Sequence, residues 1–169
     1  MQQHTDAAAD FDTLLARFAR AAQTHDARGL AALFAPDGVY DDYFFGAHQG
    51  RDAIAAMIER FHAGGDAFCW DFADPACSGD VGYASYCFSY RSKEPESAGE
   101  VVAFEGMCRM RLRGGLIAHY GEVFDRGAAF SQLGYATART AKLLARYAAG
   151  MRAQPAMAAH LERRRARGL

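Results

Sequence analysis

Apolar residues recur every three or four positions between Asp10 and His25: Phe11, Leu14, Leu15, Phe18, Ala21 and Ala22. That spacing predicts an amphipathic helix whose stripe must cover something. Asp26 stands where an N-cap belongs, so a short second helix is expected, with Leu30, Leu33 and Phe34 turned inward. Pro36-Asp37-Gly38 reads as the turn that ends it. Val39 to Phe45 reads as an aromatic-rich strand, and Gly46 to Gly50 as a loop. A third helix is expected over Arg51 to His62, with Ile54, Met57, Ile58 and Phe61 as its buried face and Gly64-Gly65 as its stop.

The middle of the chain carries strand patterns. Phe68 to Ala73 is followed by a turn around Asp74-Pro75, and Val81 to Arg91 is a longer strand. The polar run Ser92 to Gly99 reads as a hairpin loop. Val101 to Leu112 and Leu116 to Asp125 flank Arg113-Gly114-Gly115, a strong hairpin signal. From Phe104 to Leu112 the period is two: Phe104, Gly106, Cys108, Met110 and Leu112 share one face, and Glu105, Met107, Arg109 and Arg111 the other. Ala128 to Tyr147 reads as one helix anchored by Leu133, Leu143, Leu144 and Tyr147, and Pro155 separates it from a last amphipathic segment, Met157 to Arg167.

The order is helices with one strand among them, then an antiparallel meander, then helix. It predicts an α+β domain in which helices cover one face of a curved sheet and a pocket lies between the layers. The expected organisation is a single domain over residues 1–169, with its core at about 10–132 and a helical extension with a basic tail over 133–169.

Composition narrows the function classes. The formal net charge of −1 gives no electrostatic case for nucleic acid. The charge is uneven, because eight Lys and Arg fall between Arg139 and Leu169 against one Glu, Glu162. Arg163, Arg164, Arg165 and Arg167 lack interleaved aromatic residues, so a solvated charge run is the expected reading there rather than a nucleic-acid or membrane patch. No stretch is apolar enough to cross a bilayer, and no secretory signal is expected at the N-terminus. Cys69, Cys77, Cys87 and Cys108 show no metal-type spacing, and no two-His-one-carboxylate pattern stands out, so no metal is expected. Free thiols point to the cytoplasm.

The chain resembles the SnoaL-like branch of the nuclear transport factor 2 superfamily. The matching pieces are Asp26-Ala27-Arg28-Gly29-Leu30, Leu33-Phe34-Ala35-Pro36-Asp37-Gly38-Val39-Tyr40, Gly50-Arg51-Asp52-Ala53-Ile54, and Gly115-Leu116-Ile117 leading to Phe124-Asp125. The resemblance implies a cone-shaped fold with an enclosed pocket and homodimers formed sheet to sheet. It leaves the reaction open, because the fold hosts isomerases, dehydratases, epoxide hydrolases, cyclases and non-enzymes.

Tyr40 and Asp42 lie two apart on one strand, as do Tyr120, Glu122 and Phe124 on another, so each set shares a face. If both faces look into the cone, Asp42 and Glu122 are carboxylates in an apolar cavity. Desolvation and proximity would raise their pKa values, as a general base near neutral pH requires. The structural alternative is that they accept loop hydrogen bonds or pair with an Arg such as Arg51. Relative to ketosteroid isomerases, Asp42 matches the base, but the oxyanion donors fall at Phe18 and Gly106, which cannot donate. Relative to limonene epoxide hydrolases, Tyr40, Asp42 and Glu122 match, but the central Arg and second Asp fall near Tyr86 and Phe88.

What the resemblance implies is cofactor-free acid/base chemistry on a small hydrophobic molecule in the manner of polyketide cyclases. Asp42, Glu122 and Tyr40 are the catalytic candidates. Phe18, His62, Trp70, Tyr86, Phe88, Phe104 and Tyr120 are the substrate-binding candidates. A non-catalytic binding or dimerisation module, or a small subunit supporting a larger oxygenase, remains open.

Overall fold

In the computed structural model, the backbone is described for residues 2–169 and side chains for residues 10–169. The first helix, α1 (Gln2–Gln23), buries the predicted stripe from Phe11 to Ala22. Part of it, residues 2–9, lies outside the described side chains. The next helix, α2 (Ala27–Ala32), starts where expected: the Asp26 carboxylate accepts the Gly29 backbone N–H at 2.8 Å. That bond satisfies one of the amide donors a helix start leaves unpaired.

Strand β1 (Phe34–Asp42) and strand β2 (Gly46–Gln49) form an antiparallel pair, with Tyr40 opposite His48. Two expectations are corrected here. Pro36-Asp37-Gly38 does not end an element but lies within β1, where the pairing with the last strand shifts between Phe34 and Val39. Residues that make turns also make bulges, because both need irregular backbone and few ladder donors. The segment after Gly46 is a short edge strand rather than a loop.

Helix α3 (Arg51–Ala63) follows, with Ile54, Met57 and Ile58 buried and Gly64 as its C-cap. Strand β3 (Gly65–Ser78) runs through the expected turn at Asp74-Pro75, and its register with the next strand shifts between Ala73 and Ala76. Asp74 takes the left-handed conformation there, with φ 49°, so the chain bulges without leaving the sheet. Strands β4 (Val81–Ser92), β5 (Val101–Arg113) and β6 (Leu116–Phe124) complete the meander. Gly114 and Gly115 both have positive φ, as the tight β5–β6 hairpin demands.

The six-stranded sheet has the order β2-β1-β6-β5-β4-β3. It is antiparallel except between β1 and β6, which run parallel with Tyr40 beside Tyr120 and Asp41 beside Gly121. The expected single C-terminal helix is divided into α4 (Arg126–Gln132) and α5 (Thr137–Ala153), with Gly134 at φ 70° between them. The last helix, α6 (Pro155–Ala166), begins at Pro155, where proline needs no N–H partner. No residue of α5 or α6 is fully buried, so neither belongs to the core.

The main core lies between α1, α2, α3 and the concave sheet face. A second, smaller core gathers Val102, Phe130 and Leu133, with Leu143 and Tyr147 of α5 packed against it. None of the described helices is long and apolar enough to cross a membrane.

Candidate functional site

The faces predicted for β1 and β6 do converge. Because the strands are parallel and Tyr40 pairs with Tyr120 and Asp41 with Gly121, continuing that register two residues past Tyr40 puts Asp42 beside Glu122 on the same face. Both carboxylates line a cavity of about 570 Å³ between the sheet and the helices. The size suits a small organic molecule. Its walls come from Trp70 on β3, Tyr86 and Phe88 on β4, Phe104 on β5 and Phe124 on β6.

Tyr86 donates a hydrogen bond to Glu122 Oε2 at 2.9 Å, and Tyr120 donates to the same oxygen at 2.8 Å. The Tyr86 bond crosses an intervening strand. Tyr86 pairs with Gly106 on β5, while Glu122 pairs with Cys108, two residues along. A Cβ on Gly106 would stand 2.5 Å from the Tyr86 hydroxyl oxygen and 2.7 Å from the Val123 carbonyl oxygen. Only glycine leaves room for the ring to slant over β5 to reach Glu122.

Burial pushes the Glu122 carboxyl up to about 7, and the neighbouring Asp42 charge pushes in the same direction. The two phenols and the Tyr43 backbone N–H oppose that rise by stabilising the carboxylate. Asp42 is also raised above the ordinary carboxylate range, chiefly by burial, while backbone N–H groups of Phe45 and Phe44 pull it down. Those donors reach Asp42 Oδ1 at 2.7 Å each, so this carboxylate braces the turn after β1. Arg51 does not pair with Asp42: it donates to the Phe34 and Ala32 carbonyl oxygens instead. Tyr40 and Tyr120 are buried, with ring centroids 4.5 Å apart, and burial raises both hydroxyls well above their usual range. Both are therefore neutral donors at any physiological pH.

The substrate-binding candidates divide. Trp70, Tyr86, Phe88 and Phe104 line the cavity, as does Tyr40. Three do not. Phe18 is fully buried and packs against Tyr40, Trp70 and Tyr120 behind the wall. Tyr120 is fully buried too and meets the site only through its bond to Glu122. His62 is turned away: its Nε2 lies 2.7 Å from the Ala22 carbonyl oxygen and its ring stacks on His25 at 4.0 Å. Desolvation lowers its pKa, which favours the neutral ring that donates to Ala22.

The cavity is also less enclosed than expected. One side is lined by Phe45, Arg60, Arg139 and Arg146, all exposed. The sequence reading missed this side, including Leu143 and Tyr147 of α5, which it gave as anchors of a helix. The Tyr147 hydroxyl donates to the Phe44 carbonyl oxygen at 2.9 Å. The Arg126 guanidinium lies 3.2 Å from the Tyr43 ring centre and 3.8 Å from that of Tyr147. The clue in the sequence was the run of Leu143 and Tyr147 four apart, which marks an apolar helix face without naming its partner. Among the described residues no group of His, Cys, Asp or Glu is arranged to hold a metal ion.

Comparison with solved structures places this geometry among known folds. A hypothetical protein with a ketosteroid isomerase-like fold from Catenulispora acidiphila, solved in complex with trimethylamine, superposes with a TM-score of 0.67 at 22% identity, over 73% of this chain and 93% of that one. A proposed polyketide cyclase from Xanthomonas campestris gives 0.63 at 17% identity, over 75% and 98%. An LEH-like epoxide hydrolase from M. tuberculosis gives 0.61 at 18% identity, over 85% and 97%. At such identities the likeness speaks for the fold alone. No curated protein matches. The family model described as a SnoaL-like domain matches residues 15–120, from the α1 stripe to Tyr120. Curved mixed sheet and family match agree: the chain has a ketosteroid isomerase-like fold and belongs to the SnoaL-like domain family.

Proposed function

We propose that this chain binds a small hydrophobic molecule of polyketide, terpenoid or steroid-like character and moves a proton on it with Glu122, without a cofactor. The observation that carries this reading is a half-buried carboxylate on the cavity wall that accepts two phenol hydrogen bonds on one oxygen, with desolvation pushing its pKa up to about 7. A base is most effective when its pKa lies near the working pH. Both phenols donate to Oε2, so Oε1 is the oxygen left to exchange a proton with the bound molecule. Asp42 keeps Glu122 basic through its charge, and Tyr40 backs the pair from β1. The aromatic walls hold the apolar body by burial and ring stacking.

The same reading takes the protein to be a cytoplasmic homodimer. Val101, Met107 and Val123 are exposed apolar residues of β5 and β6, with Met107 and Val123 paired across the two strands, and a second copy is the occupant that the resemblance suggests. Light scattering of the purified chain gives the mass that decides this.

Proton exchange into 2-tetralone in D₂O, followed by NMR, tests the catalytic claim. The wild type is expected to accelerate exchange next to the carbonyl, and Glu122→Gln to lose that acceleration. Equal rates in the two proteins would remove the catalytic role. A non-catalytic binding module is the second reading. It is favoured by Asp42, whose bonds to Phe44 and Phe45 are those of a structural brace. A small amine is one ligand for such a module, since aromatic rings and carboxylates both attract cations.

A further inference from the structure

We propose that the indole N–H of Trp70 is the donor that recognises an acceptor oxygen, above all a carbonyl oxygen, on the molecule held in the cavity. The inference rests on the cavity reading above and adds a recognition residue to it.

Trp70 lies on β3, is 6% exposed and lines the cavity. Its Nε1 is buried and has no hydrogen-bond partner among the described residues. A buried indole N–H ordinarily finds a partner, because sealing a donor from both water and protein is costly. Its ring neighbours do not provide one. Phe18 meets it edge-on at 5.3 Å, Phe72 stacks on it at 5.7 Å, and Phe88 lies at 4.9 Å. Tyr86, at 5.5 Å, has its hydroxyl committed to Glu122. Trp70 lines the cavity, so a small turn of the indole would bring Nε1 to an acceptor placed there.

The chemistry of the site asks for such a donor. Removing a proton beside a carbonyl builds negative charge on the oxygen, and a fixed N–H or O–H aimed at it lowers the barrier. The side chains of Phe18 and Gly106 cannot donate. Trp70 packs against the first and Tyr86 over the second, and the indole N–H is a donor on this wall not already used within the protein.

Trp70 is the chain's only tryptophan, so the protein gives a single indole N–H signal in a ¹⁵N–¹H NMR spectrum. The probes are 1-indanone and indane, which share a skeleton and differ in the carbonyl. With wild-type protein, 1-indanone is expected to move the indole proton downfield and indane is not. Trp70→Phe is expected to weaken 1-indanone binding by about tenfold and to change indane binding by less than about twofold. If both probes bind but shift the indole alike, or the substitution weakens both equally, Trp70 is only part of the wall and the proposal is overturned. If neither probe binds, the cavity reading itself fails and the proposal falls with it. Should Trp70→Phe not fold, the wild-type indole shift decides alone.

Discussion

Tyr86 on β4 donates a hydrogen bond to Glu122 on β6, reaching over β5 at the point where that strand carries Gly106. Two residues from different strands are thus joined by the absence of a side chain on a third. Gly106→Ala places a methyl group 2.5 Å from the Tyr86 hydroxyl and 2.7 Å from a backbone carbonyl. The ring has to leave, and the backbone cannot follow. A stability loss of about 1–3 kcal/mol is expected from such overpacking. Thermal unfolding measures it. Gly106→Ala is also expected to uncouple Tyr86, so that adding Tyr86→Phe costs little more, which a double-mutant cycle reads directly.

Glu122 makes stability depend on pH with a definite sign. Its folded pKa of about 7 lies above the ordinary 4.5, so between these values the folded state holds a proton that the unfolded chain has lost. Stability therefore falls as pH rises from about 4.5 to 7 and levels off above. The raised Asp42 acts in the same sense. The Glu122 contribution amounts to at most about 3 kcal/mol, the shift converted at 1.36 kcal/mol per unit. Denaturant unfolding at pH 5 and pH 8 measures the difference, and Glu122→Gln is expected to flatten it.

Removing either phenol from Glu122 takes a donor from the charged form. Tyr86→Phe and Tyr120→Phe are each expected to raise the Glu122 pKa further, by about one unit. A carboxyl NMR titration of each variant follows this. If the pKa falls instead, the phenols do not serve the carboxylate in the way their geometry indicates.

Helix α5 walls the cavity but has no fully buried residue, so it is held by a few specific contacts. Arg126 is the main clamp, between Tyr43 and Tyr147. Arg126→Met removes both cation–ring contacts and the bonds to the Tyr43 carbonyl oxygen. Faster amide hydrogen exchange across Thr137–Ala153, with β5 and β6 unchanged, is the expected result.

Much of the fold was legible because its signals are local. The α1 stripe, the Asp26 cap and the period of two along β5 each follow from neighbouring residues, and the structure keeps all three. The irregular strands were not legible, because Pro36-Asp37-Gly38 and Asp74-Pro75 have turn chemistry, and only the partner strand decides between a turn and a bulge. For the site, the shared faces of Tyr40 with Asp42 and of Tyr120 with Glu122 followed from strand periodicity. That these faces meet depends on β1 and β6 lying parallel, a long-range pairing no window contains. Phe18 and His62 were expected at the cavity from the resemblance, but the first is needed to fill the core and the second finds its partner at Ala22. The cavity's outer wall went unseen because α5 docks through only a few side chains.

The state of the Glu122 carboxyl is the point on which the rest turns, and ¹³C NMR can watch it titrate in the intact protein. With the side-chain carboxyl labelled and assigned by comparison with Glu122→Gln, the resonance is predicted to titrate with a midpoint near 7. A midpoint below about 5, in the range of ordinary glutamates, would contradict the account, because the carboxylate would then be a hydrated anion unfit to take a proton from a bound molecule at neutral pH.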